Sequence, residues 1–181
     1  VSGTIPESLF FMFQMTFAII TPALIVGAYP ERIKFGPVLL FSGLWLFLVY
    51  TPVTHWIWGG GWLADLDKID LPAAAGYAGS GVVHAVGGFV ALAGAIVVGA
   101  RTGKFNADGT SNIIPGHNVP YVIIGTFILF FGWFGFNINT GDSIGLNAMN
   151  TLLAGATGGV VTLYIQLVRT GRTDVLMACN G

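Results

Sequence analysis

Charge is what this sequence has least of. Seven Lys and Arg and eight Asp and Glu stand among 181 residues, 8% in all, which no water-soluble domain of average composition approaches. A formal net charge of -1 leaves no basic surface, so nucleic acid is not an expected partner. Cysteine is scarcer still. Cys179 alone cannot close an internal disulfide, and no spacing of Cys and His suggests a zinc site. A nucleophile with a base, paired carboxylates and a metal set are all missing, so no cofactor and no enzymatic chemistry are expected. What is present is apolar: 54% of residues are hydrophobic and mean hydropathy is +0.78, with 27 Gly, a residue more frequent in membrane helices than in soluble ones. The solvent for such a chain is lipid. It begins with Val1, shows no signal peptide and breaks off at Gly181 just after an apolar stretch has started, as an internal fragment of a longer protein would.

Five stretches carry no Asp, Glu, Lys or Arg: Leu9 to Tyr29, Phe35 to Trp58, Tyr77 to Ala100, Val119 to Ile138 and Ile144 to Val168. Each reaches about the twenty residues needed to cross a bilayer as a helix. A helix is required because backbone polar groups must be satisfied internally in lipid, and no stretch alternates with the two-residue period of a barrel strand. A sixth span is expected to begin near Val175. The fold class is therefore all-α, a polytopic transmembrane helical bundle of about five spans plus the start of a sixth. Residues 1–181 read as a single transmembrane domain fragment without linkers. Breaks fall at Pro30-Glu31-Arg32, at Gly59-Gly60-Gly61 and at Pro115 to Pro120. Pro22 and Pro52 are expected to kink their spans, and Gly87, Gly88, Gly155, Gly158 and Gly159 to let helices approach closely.

Lys and Arg bias gives orientation, because positively charged loops stay cytoplasmic. Arg32, Lys34, Arg101, Lys104, Arg169 and Arg172 fall in the first, third and fifth loops, and only Lys68 falls on the other side. The loop from Trp62 to Gly76 should thus face outward, as should that from Asn139 to Ser143. At about 1.5 Å of rise per residue, Phe13 and Phe17 lie in the outer half of their span. Trp58 closes a span at its outer end, and Phe136 and Thr140 end another there. His84, seven residues after Tyr77, lies roughly 10 Å inside.

A histidine at that depth is expensive and faces either a cavity or a partner helix. A neutral ring there offers one donor and one acceptor, enough to relay a proton or to solvate a small polar molecule. Phe13 and Phe17, four apart, share one helix face, as either a pore lining or ordinary packing requires. Trp58 fits an interfacial aromatic belt, and Trp56 and Trp62 belong to one. Alternatively, several rings form a cage in which a partly dehydrated cation is held by cation–π attraction. His55 and His117 are solvated and carry no assigned role. Asp65, Asp67 and Asp70 form an acidic patch on the outer loop, which is ordinary for a solvated loop.

Six motifs carry a resemblance: F-Q-M-T-F-A-I-I (Phe13 to Ile20), V-G-A-Y-P-E-R-I-K-F (Val26 to Phe35), W-I-W-G-G-G-W (Trp56 to Trp62), A-G-S-G-V-V-H (Ala78 to His84), I-P-G-H-N-V-P (Ile114 to Pro120) and G-W-F-G-F-N (Gly132 to Asn137). In this order the chain resembles the ammonium transporter family, the relatives of methylammonium permeases and Rhesus proteins, over essentially its whole length. The resemblance implies an eleven-span bundle in the cell membrane, assembled as a homotrimer with a pore through each subunit, of which this chain matches spans three to seven. It implies that Phe13, Trp58 and Thr140 recruit ammonium or methylammonium, that Phe17 and Phe136 form a phenylalanine gate, and that His84 is the first of two pore histidines. It also implies a regulatory partner of the PII type at the cytoplasmic face.

Two positions depart from the family pattern. Thr140 stands where Ser is usual, keeping the hydroxyl and adding a methyl group. Gly76 stands where the family has an aspartate just before the aromatic-Ala-Gly motif. A carboxylate there would satisfy helix N-terminal amides and favour a nearby cation, and glycine supplies neither. The expected function is ammonium or ammonia transport through an aromatic-gated, histidine-lined pore, selective over potassium because an apolar lumen cannot replace that ion's water. The alternative, motivated by Gly76, is an ammonium-binding sensor of the same fold. An unrelated channel whose aromatics merely pack is the third reading.

Overall fold

The structure, a computed structural model, describes residues 3–74, 76–138 and 143–181. Five of its helices are long and apolar enough to cross a membrane: α1 (Glu7–Ala28), α2 (Phe35–Trp58), α3 (Tyr77–Val98), α4 (Val119–Asn137) and α5 (Ile144–Thr170). A sixth, α6 (Val175–Asn180), starts where a further span was expected. The chain is an all-α, multi-pass membrane protein. Leu40, Phe47, Phe89, Phe131 and Val160 are among many large apolar side chains left exposed, as lipid rather than water demands. The residues fall into two compact units, 1–113 and 114–181.

In unit 1, α1 follows Pro6, and Glu7 places its negative charge in the first turn, where the exposed amides favour it. The helix tightens to a 3-10 turn over Val26–Ala28 and is closed by a bend with Glu31 at φ +62°. Arg32 then reaches back: Nη2 donates to the Gly27 carbonyl at 3.2 Å and Nη1 to the Gly99 carbonyl at 2.6 Å. Those are the carbonyls that helix C-termini leave without intrahelical partners. The same side chain thus caps α1 and α3.

The irregularity expected at Pro52 takes the form of a π turn over Leu46–Tyr50. Pro52 has no N–H to give the preceding turn, and the Leu46 carbonyl accepts from both the amide and the hydroxyl of Thr51, the latter at 2.8 Å. A second π turn, Ser80–Ala85, lies in α3. α1 and α3 pack closely because α3 presents small residues. A Cβ built on Gly87 would lie 3.4 Å from Leu24 Cβ, and one on Gly94 3.4 Å from Ala28 Cβ. Thr21, Ile25, Val82 and Val83, all at most 1% exposed, form the centre of this unit. The buried Thr21 hydroxyl is satisfied by the Phe17 carbonyl, 2.6 Å away. α3 ends at Val98, two residues short of the uncharged stretch's own end, with Gly99 at φ +76° as its cap.

The two longer loops of unit 1 carry local polar contacts of their own. Lys68 pairs with Asp65 at 2.7 Å in the loop after α2. Beyond α3, Phe105 and Ser111 form an antiparallel bridge, and Asp108 accepts from the Thr110 amide at 2.9 Å and hydroxyl at 2.6 Å. These two hydrogen bonds hold the Asp108 carboxyl below its usual range.

Unit 2 is built from α4, α5 and α6. Asn118 caps α4 by accepting from the Tyr121 amide at 3.0 Å, with Pro120 in the first turn where its missing N–H is harmless. Gly171, φ +69°, terminates α5. Asp174 caps α6 through the Leu176 amide at 2.8 Å.

Candidate functional site

The end of unit 1 where α1 begins and α2 closes gathers an aromatic array. The spacing of four that puts Phe13 and Phe17 on one face of α1 brings their rings edge to face, with centroids 4.9 Å apart at 82°. Phe17 continues the series to Trp58 on α2, 5.6 Å away and again at 82°. Such T-shaped pairs set the positive edge of one ring against the negative face of the next. Phe17 is 4% exposed while Phe13 is 45% exposed. Trp58 is half-buried, so the enclosed ring is the middle one of the three.

Trp58 is fixed by a contact that the sequence did not signal. Its indole N–H donates to the carbonyl oxygen of Gly76 at 3.3 Å. Gly76 is left-handed, φ +58°, and a Cβ there would come 2.8 Å from Ile57 Cγ2 and 2.9 Å from Trp58 Nε1. Both the torsion and the space thus call for glycine. Ala78 and Gly79 are left-handed as well, at φ +49° and +72°, so α3 begins in a tightly wound entry of which the sequence signals only the glycines. From sequence Gly76 reads as the loss of a carboxylate. In the structure its carbonyl is the acceptor that orients Trp58.

His84 lies in the π turn of α3, eight residues beyond Gly76. Val82 and Val83 are fully buried and His84 is exposed within its unit. The apolar neighbours therefore anchor the turn while the imidazole is presented outward. Single π turns of this kind are frequent at functional positions.

Phe136 belongs to unit 2, one residue before the end of α4, and is half-buried. Beside it the Asn137 amide donates to the Thr151 hydroxyl at 3.3 Å, which in turn donates to the Asn147 carbonyl at 2.8 Å. This chain ties the end of α4 to α5. Thr140 lies outside the described residues. Of the residues singled out by sequence, Phe13, Phe17 and Trp58 are brought into one array, with Gly76 joined to it. Among the described residues no three His, Cys, Asp or Glu side chains cluster to hold a metal ion.

The sequence model of the Ammonium Transporter Family matches residues 1–181. The chain is 43% identical over 178 residues to ammonium transporter Amt2 of Archaeoglobus fulgidus, covering 93% of this chain and 38% of that protein. It is 44% identical over 184 residues to the ammonium transporter of Bacillus subtilis, covering 99% and 42%. The crystal structure of Candida albicans Mep2 superposes with a TM-score of 0.79 at 36% identity, over 97% of this chain and 38% of that one. A structure described as a sensor Amt protein gives a TM-score of 0.79 at 38% identity, over 93% and 43%. The chain spans about two fifths of the length of the relatives it matches.

Proposed function

Because this chain belongs to the ammonium transporter family, we propose that the longer protein carries ammonium or ammonia across the cell membrane through a pore to which residues 1–181 contribute one membrane domain, family spans three to seven. In this reading Phe13, Trp58 and Thr140 draw ammonium from solution, Phe17 and Phe136 gate its passage, and His84 solvates the species that crosses. The observation that carries it is the Phe13–Phe17–Trp58 array, a buried ring flanked by an exposed and a half-buried one. A cation shedding its water there exchanges hydration for ring faces. Potassium sheds no proton and finds no replacement for its water in an apolar lumen. We further propose a homotrimer and a PII-type protein acting at the cytoplasmic face.

The test is ammonium-evoked current from the full-length protein in proteoliposomes, with Trp58→Leu as comparison. Removing the indole should raise the half-saturating ammonium concentration by about fivefold to thirtyfold, the equivalent of about 1–2 kcal/mol of cation–π attraction. An unchanged half-saturation would refute the recruiting role of Trp58.

A second reading is favoured by Gly76, which stands where the family has an aspartate, and by the likeness to the sensor Amt structure. In it the same site binds ammonium without passing it. Ammonium binding with no current in the native protein would establish that reading against transport.

A further inference from the structure

From Gly76 to Gly81 the entry of α3 has almost no side chains of its own to hold it. Gly76, Gly79 and Gly81 have none, Ala78 has one methyl group, and Tyr77 and Ser80 are exposed. Glycine gives such a segment freedom rather than a fixed course. The left-handed torsion of Ala78, φ +49°, persists only where the surroundings hold it.

What the entry lacks, the end of α2 supplies. A Cβ built on Gly76 would lie 2.8 Å from Ile57 Cγ2, and one built on Gly81 would lie 3.3 Å from Ile57 Cδ1. The two methyl groups of this half-buried side chain therefore fill the space over two glycines five residues apart. Gly76 carries the carbonyl that accepts from Trp58, the residue after Ile57. Gly81 lies in the π turn Ser80–Ala85, three residues before His84. One side chain thus abuts the acceptor of Trp58 at one end and the turn that presents His84 at the other. Isoleucine suits this place, because its Cβ branch leaves one strongly preferred rotamer in a helix, and both methyl groups keep fixed positions on α2.

We propose that Ile57 is a positioning residue for the site: Cγ2 sets Gly76 and through it Trp58, and Cδ1 sets the π turn and through it His84. The proposal rests on the reading of Trp58 as a recruiting ring and of His84 as a pore residue, and it gives Ile57 no contact with the ion.

The test separates the two methyl groups in the full-length protein. Ile57→Val keeps Cγ2 and removes Cδ1. Ile57→Leu has no branch at Cβ, so it gives up Cγ2 and keeps a terminal methyl group. Each is read by the emission maximum of Trp58, in a background where the other tryptophans are replaced by Phe, and by ammonium-evoked current in proteoliposomes. Ile57→Leu should shift the emission and raise the half-saturating ammonium concentration about twofold to tenfold, the range for one lost methyl contact. Ile57→Val should leave both unchanged and lower the maximal current by about twofold to tenfold. Gly81 is not left-handed, so Gly81→Ala added to Ile57→Val places a methyl group in the space that Cδ1 vacates and should recover the current. A side chain that only filled space would lower stability in both variants without dividing half-saturation from maximal current. The same change in both variants, no emission shift in Ile57→Leu, or no recovery with Gly81→Ala overturns the proposal. Absence of current in the native protein overturns the transport reading instead. Emission then decides for Ile57 by itself: a shift in Ile57→Leu and none in Ile57→Val supports the proposal, and any other pattern overturns it.

Discussion

Placing a side chain on Gly76 tests whether its carbonyl and its missing Cβ position Trp58. Gly76→Ala adds one methyl group at φ +58°, where an L-residue costs roughly 1–2 kcal/mol. The methyl would stand 2.8 Å from Ile57 Cγ2 and 2.9 Å from Trp58 Nε1, so the indole must move. Moving it breaks a hydrogen bond of about 1 kcal/mol, and the sum is about 2–3 kcal/mol of local destabilisation. Gly76→Asp restores the family's carboxylate but brings the same Cβ. Aspartate tolerates the left-handed torsion better than alanine, so it should be the less damaging of the two while still displacing Trp58. The assay has two readouts on the full-length protein: thermal unfolding in detergent, and the emission maximum of Trp58 in a background where the other tryptophans are replaced by Phe. Both substitutions should lower the unfolding temperature and shift the emission. Ile57→Ala, which removes one of the two close contacts, should recover part of the loss in combination with either. Unchanged unfolding and emission in Gly76→Ala would refute the argument. The contribution of the carboxylate to ammonium affinity is then the difference between Gly76→Asp and Gly76→Ala, not between Gly76→Asp and the native protein.

Asn118→Ala removes the N-cap of α4 and should destabilise it by about 1 kcal/mol, seen as faster amide exchange at Tyr121. Gly87→Leu forces a branched side chain into the close approach of α3 on α1 and should cost about 1–3 kcal/mol, with lower yield of folded protein in detergent as the measure. Because the Asp108 carboxyl is held below its usual value of 3.8 in the folded loop, its contribution is present above that value and is lost as pH falls through the lower folded one. Amide exchange at Thr110 should therefore stay protected to pH 4 and open below it, and in Asp108→Asn the opening should no longer follow acid.

The spans were legible because scarcity of charge is a property of each residue by itself. All five helices follow the uncharged stretches to within a few residues, and the pairing of Phe13 with Phe17 follows from their spacing alone. What escaped notice depends on residues distant in the chain. Trp58 is 18 positions from the carbonyl that orients it, and nothing about either residue's type announces the contact. Arg32 is 67 positions from Gly99, although a lone arginine at the end of an apolar span could have prompted a search for orphaned carbonyls. Ala78 adopts its left-handed torsion between two glycines that do so more readily, a case of tertiary packing overriding local preference. Pro52 announced an irregularity but not its kind, a π turn over Leu46–Tyr50.

The two π turns also act as angular adjusters. Each accommodates one more residue per turn than an α-helix, and one residue is worth about 100° of rotation about the axis. Deleting a single residue from Leu46–Tyr50 would let α2 revert to uninterrupted α-helix and swing everything beyond it, Trp58 included, about 100° away from Phe17. The same deletion within Ser80–Ala85 would turn His84 relative to the entry that Gly76 begins. The facing of the array is thus set by residue count as well as by residue type, and the same sequence one residue shorter in either turn would present different side chains there.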